Sequence, residues 1–180
     1  TSKQLQLFAS RPPTIPQKKT DQEKQKKPRL QEGPMIISVD TSASMHGLPE
    51  RIAKSMTMQI LQTAKRKNRK CFLITYSVRA KALDISKPEH WSKVKLFLKN
   101  QFSGGTDGEY MLAFALDALN TDNYSMADVL IISDFEFNLP LSATRKKIED
   151  EQKKGTRFYG LQISKVHNGY DKILDRIWSI

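Results

Sequence analysis

The sequence predicts an α/β domain: a doubly wound, mostly parallel central sheet with helices on both faces. Three observations lead there. Short continuous apolar runs at 35–39, Cys71–Tyr76 and 129–132 have the texture of strands buried on both sides. Amphipathic stretches with apolar residues every three or four positions separate them. Strand and helix signals alternate along the chain, which is the pattern of crossover-connected parallel strands.

Each element has its own signal. The run 35–39 (Met-Ile-Ile-Ser-Val) predicts the first strand, and a turn-rich stretch follows at 40–47. Ile52, Ala53, Met56, Ile60, Leu61 and Ala64 mark one face of a helix from Pro49 to about Asn68. Pro49 suits its first turn, where a missing N–H costs nothing. Lys65, Arg66, Lys67, Arg69 and Lys70 crowd its end, where cations complement the helix dipole. Cys71–Tyr76 is the second strand, and 80–85 a third, at an edge. The segment 89–99 reads as a helix with Trp91, Val94, Leu96, Phe97 and Leu98 inward. A glycine loop at 103–108 precedes a helix at 109–119. The run 129–132 is the most apolar strand. A surface helix at 142–154, a strand at 156–163, a short helix at 171–175 and a last strand at 176–180 complete the order.

Composition bounds the function. The 180 residues suffice for one domain plus a tail, and 38% apolar content supports a real core. Residues 1–32 read as a basic, proline-rich linker or tail, and 33–180 as the domain. The first 34 residues hold five of the eight prolines and a local net charge of +5, out of +11 for the chain. The single cysteine, Cys71, excludes an internal disulfide framework and a multi-cysteine zinc site, and it sits inside an apolar strand as an inert thiol would. A reducing, cytoplasmic compartment is the expectation, with peripheral contact at the inner face of the membrane as a variant. No run approaches the ~18 apolar residues of a membrane span. The start has neither a signal-peptide apolar core nor an initiator methionine, so a piece of a longer protein is expected.

In an open parallel sheet, ligands bind beyond the carboxyl ends of the strands. The loops there carry Asp40-Thr41-Ser42-Ala43-Ser44, then Ser103-Gly104-Gly105-Thr106-Asp107, then Ser133-Asp134-Phe135-Glu136. Asp40, Ser42 and Ser44 alternate, so their side chains can converge. Thr106 adds a hydroxyl and Asp134 a second carboxylate. All five are hard oxygen donors, an inventory that suits Mg²⁺, with Mn²⁺ or Ca²⁺ as alternatives, over zinc or copper. Each loop taken alone also fits ordinary turn and helix-cap chemistry. Asp107, Glu136, Phe135 and His46 lie close enough in sequence to support the site or touch a partner. Phe135 and Phe137 are expected as exposed partner anchors, and Trp178 as core.

The first loop resembles the D-x-S-x-S signature of von Willebrand factor A (VWA) domains. Gly104-Gly105-Thr106 resembles that family's threonine loop. Ala127-Asp128, the following apolar run and Ser133-Asp134 resemble its aspartate loop. The resemblance covers residues 33–180. It implies a metal-ion-dependent adhesion site (MIDAS), with Asp40, Ser42 and Ser44 around Mg²⁺. Thr106 would bind directly or through water, and Asp134 through water. Gly33-Pro34, Gly104-Gly105-Thr106-Asp107, Ile132-Ser133-Asp134-Phe135 and Asp175-Arg176-Ile177-Trp178 further resemble the C-terminal domains of the ViaA and CoxE-like group of VWA proteins. That group works beside a MoxR-type AAA+ ATPase. Ala43 stands where the signature commonly has glycine, which matters only if the turn needs a positive φ.

The resemblance implies a non-catalytic, metal-dependent protein-interaction module whose metal shell is completed by an acidic residue of a partner. A different reading uses the basic groups at 65–70, on the helices and in the tail to bind nucleic acid or anionic lipid. No RNA-binding aromatic signature accompanies those groups. An enzyme reading lacks a nucleophile–base pair, a Walker A loop and a G-x-S-x-G elbow.

Overall fold

A computed structural model of the chain describes residues 33–163 and 169–180. The expected tail at 1–32 lies outside these residues. The elements run β1 (Met35–Asp40), α1 (Leu48–Arg66), β2 (Cys71–Tyr76), β3 (Ala80–Asp84), α2 (Trp91–Lys99), α3 (Gly108–Leu119), β4 (Asp128–Ser133), α4 (Ser142–Lys154), β5 (Phe158–Gln162) and β6 (Arg176–Ser179). One six-stranded sheet has the order β3-β2-β1-β4-β5-β6. Every neighbouring pair is parallel except β2 with β3. The α/β, doubly wound reading is therefore correct.

Burial follows the strand period of two. Ile36, Ile74, Val129 and Ile131 point to one face, where Met111, Leu112 and Ala115 of α3 and Ile148 of α4 cover them. Ile37, Val39, Leu73 and Ile132 point to the other, under Ala53, Leu61 and Ala64 of α1 and Val94 and Phe97 of α2. Fully burying each of these large side chains stabilises by roughly 1.5–3 kcal/mol before chain entropy is counted. Arg69 clamps the amino-terminal end of the sheet. Its guanidinium donates to the Gly33 and Pro34 carbonyls and to the Asp128 carboxylate.

The structure departs from the sequence reading in places. The helix expected over 89–99 begins as a 3₁₀ turn at Pro88–His90, and α2 follows. Leu96 is 58% exposed, because on a 3.6-residue wheel it lies opposite the inward pair Val94 and Phe97. Trp178 is also exposed, not core: it sits on edge strand β6, stacked on Tyr159 with Arg176 over its ring. The short helix expected at 171–175 is one 3₁₀ turn, Tyr170–Lys172.

The chain leaves β1 toward β2 and β3, then crosses back to β4 on the other side of β1. The topological switch point therefore lies between β1 and β4. Their carboxyl ends meet one step beyond the Val39–Ile132 register pair, at Asp40 and Ser133.

Candidate metal site at the switch point

Both aspartates are buried, Asp40 fully and Asp134 nearly so. Each closes an Asx-turn over its own loop. The Ser42 N–H donates to Asp40 Oδ1 at 2.9 Å, and the Glu136 N–H to Asp134 Oδ1 at 3.0 Å. Ser133 links them. Its Oγ accepts the Phe135 N–H at 2.8 Å and donates to Asp40 Oδ2 at 2.7 Å. Asp134 Oδ1 lies farther off, at 3.5 Å from the same Oγ. The hydroxyl proton is thus spent on Asp40. Ser133 was not singled out as a site residue in the sequence, where it reads only as the residue that opens the loop before Asp134; that place was its signal.

Ser42 is almost fully buried and sits at the N-cap of the 3₁₀ turn Ala43–Met45, yet its side chain makes no capping bond. Its hydroxyl lies 3.0 Å from that of Ser44 instead. The alternate spacing therefore does bring these two oxygens together, and Ser44 is exposed on the outer side. Ala43 is not among the residues with positive φ, so alanine meets no backbone strain there.

The glycine loop is tied to the first loop through the backbone. The Ser103 N–H donates to Thr41 O at 2.8 Å, and the Ala43 N–H to Gly104 O at 2.9 Å. Gly104 has φ of +97°, a conformation open to glycine, which lets the loop turn toward β1. Thr106, half-buried, follows two residues later at the rim.

The electrostatics favour a cation. Burial pushes the Asp40 carboxyl above the usual carboxylate range, the Ser133 and Ser42 bonds pull it back, and the Asp134 charge adds to the rise. Tyr76, the register partner of Asp40 on β2, is fully buried beside it, and burial and the Asp40 charge raise its phenol well above normal. Among the described residues no lysine or arginine forms an ion pair with Asp40. A buried Asp40 with serine hydroxyls and a second buried carboxylate beside it fits a hard divalent ion. Among the described residues no cluster of three or more His, Cys, Asp or Glu exists, so a softer all-side-chain metal cage is not what these loops offer.

The remaining candidates separate. Asp107 is the N-cap of α3 and accepts the Tyr110 N–H at 2.9 Å, a structural role for one oxygen. His46 is an exposed loop residue 3.3 Å from Glu50. Glu136 is exposed on the rim, its backbone spent on Asp134. Phe135 is not an exposed anchor: it is fully buried. Its φ of +58° swings the ring inward, where it packs against Phe137 and Tyr170 at 5.8 and 5.2 Å between centroids. Phe137 is partly buried in the same cluster. The basic run at the end of α1 is mostly exposed but makes local contacts: Lys65 lies over the Trp91 ring, Arg69 pairs with Asp128, and Lys70 donates to Asn123. Cys71 is buried, and burial pushes its thiol up to about 12.

No protein-family model matches the chain. Solved structures of low identity share its fold. The VWA domain of SpRpn10 aligns with a TM-score of 0.58 at 12% identity, covering 83% of this chain and 88% of that one. BatB from Bacteroides thetaiotaomicron aligns at 0.57 and 16% identity, over 73% of this chain and 66% of its own. Proximal thread matrix protein 1 from the mussel byssus, solved with a zinc-occupied MIDAS motif, aligns at 0.60 and 10% identity, over 83% of this chain and 43% of its own. This chain thus spans about two thirds of the Bacteroides protein and less than half of the mussel protein. Among the described residues no helix is long and apolar enough to cross a membrane. The chain carries a VWA-like α/β domain with its acidic loops at the sheet's switch point.

Proposed function

We propose that this domain is a metal-dependent protein-interaction module. One observation carries the reading: the buried Asp40 and Asp134 lie either side of Ser133 with serine hydroxyls beside them, and among the described residues no lysine or arginine is ion-paired to Asp40. Asp40, Ser42 and Ser44 hold the ion, Thr106 and Asp134 complete its protein shell, and Mg²⁺ is the expected ion. Two carboxylates would neutralise a divalent charge. Of the two carboxylates only Asp40 binds directly in this scheme, so the ion retains attraction for an acidic side chain from outside. A VWA-fold neighbour with a metal-occupied MIDAS motif supports the same reading. The site coordinates and bridges; it turns nothing over.

The partner we propose is a MoxR-type AAA+ ATPase, on the resemblance of the loops to the ViaA and CoxE-like group, and the setting is cytoplasmic. The test is equilibrium binding to the MoxR-type ATPase of the same organism, without nucleotide, in Mg²⁺ and in EDTA. Binding is expected in Mg²⁺ and lost in EDTA and in Asp40→Ala and Ser42→Ala. Binding that survives both variants overturns the bridging mechanism. Binding that ignores metal but falls steeply with salt supports the basic surface instead.

A further inference from the structure

A groove of about 490 Å³ opens beside Thr106. Loop 106–109 forms one wall and segment 136–141 the other. Phe137 covers Gly108 closely: a Cβ added at Gly108 would lie 2.2 Å from the ring. Glu109 fixes the second wall, since its carboxylate accepts the Leu141 N–H at 2.9 Å and the Thr144 hydroxyl. Its charge is therefore committed to the fold. Asp107 and Glu136 are different. Both are exposed, and both line the groove. Leu139 and Leu141 line it too, 39% and 67% exposed.

Among the described residues that line this groove none is a lysine or arginine, in a chain of net charge +11. An acidic, leucine-bearing groove on a basic protein complements a basic and apolar occupant. The groove adjoins the loops of the proposed metal site: Thr106, one of its proposed ligands, lines the groove, and the N–H of the lining residue Glu136 donates to Asp134 Oδ1. A chain that delivers an acid to the metal can therefore lay its adjoining residues in the groove.

We propose that the groove binds the partner segment next to the metal-completing acid, and that this segment carries a Lys or Arg between Asp107 and Glu136 and an aliphatic side chain against Leu139 and Leu141. The proposal rests on the metal-module reading above and adds the partner's sequence chemistry to it. The metal supplies attraction for any accessible carboxylate. The groove supplies the selection among them.

The test pans a random peptide display library on the folded domain in Mg²⁺, elutes with EDTA, and measures the selected peptides by fluorescence polarisation. Selected peptides are expected to share one Asp or Glu with a Lys or Arg and an aliphatic residue within a few positions. Glu136→Lys should weaken them at least tenfold while a metal-induced rise in Tm persists. Replacing the peptide's cation by Glu should weaken wild-type binding and restore binding to Glu136→Lys. Leu141→Ser should weaken binding severalfold. Metal-dependent peptides without a shared cation, or affinities that stay within twofold in Glu136→Lys and Leu141→Ser, overturn the groove and leave the metal module standing. Peptides that bind equally in EDTA, or a selection with no Mg²⁺-dependent binder, overturn the metal module and the groove with it.

Discussion

The two ends of the sheet treat their carboxylates in opposite ways. At the amino-terminal end, Asp128 of β4 meets Arg69, which also satisfies the Gly33 and Pro34 carbonyls. The protein supplies its own cation there. At the carboxyl end, the more deeply buried Asp40 meets serine hydroxyls, a backbone N–H and a second carboxylate. The same sheet thus closes one charge internally and leaves the other for something outside. A buried carboxylate without a countercharge weakens a fold unless it has another use. That contrast is the physical case for a binding site at the switch point.

Substitutions can break the contrast. The largest stability effect belongs to the self-satisfied end. Arg69→Ala removes charge-assisted bonds to Asp128 and two carbonyls and should cost about 2–3 kcal/mol in urea unfolding. The metal response should be unchanged, because the lesion lies at the far end of β4. Ser133→Ala should cost about 1–2 kcal/mol, since it strips a buried donor from Asp40 and an acceptor from the Phe135 N–H. Unlike Arg69→Ala, it should also weaken metal binding, because Asp40 loses the bond that aims it.

A third substitution sharpens the contrast through pH. Burial would raise the Asp84 carboxyl, but the Tyr124 hydroxyl at 2.8 Å and the Ser86 N–H bring it below its ordinary 3.8. A lowered folded value contributes stability above the unfolded value, and that stability is lost as pH falls through the folded one. Tyr124→Phe should therefore cost no more than about 1 kcal/mol at neutral pH, and the difference from wild type should shrink below about pH 4. Asp40 runs the other way. Its raised value means that the fold disfavours the carboxylate as pH climbs above 3.8. Asp40→Asn should therefore leave the metal-free protein as stable as wild type or slightly more so. A loss of 2 kcal/mol or more, as at Arg69, would erase the difference between the two ends.

The fold was readable because its central strands are buried on both faces. Cys71–Tyr76 and Ser142–Lys154 begin and end where the apolar run and the helical pattern do. The site was readable in part. Asp40 and Ser42 announce themselves by alternate spacing at a strand end, and the structure joins them by an Asx-turn. Ser133 was invisible as a partner because its link to Asp40 spans 93 positions and depends on strand register. Phe135 misled for a local reason. A phenylalanine on a loop after a strand reads as exposed, but a positive φ, rare outside glycine, turns it into the core. Trp178 misled in the opposite direction, because nothing in five residues of sequence says that β6 is an edge. The groove beside Thr106 was legible only as scattered acids and leucines, and packing assembled it.

The most direct measurement is thermal unfolding of wild type and Asp40→Asn in EDTA and then in saturating Mg²⁺, Mn²⁺ or Ca²⁺. Metal at ten times its dissociation constant should stabilise the wild type by about 1.4 kcal/mol. The same addition should leave Asp40→Asn unmoved, and in EDTA that variant should be at least as stable as wild type. A wild type that ignores ~10 mM of every ion, or an Asp40→Asn that responds as fully as wild type, would contradict a metal centre at this switch point.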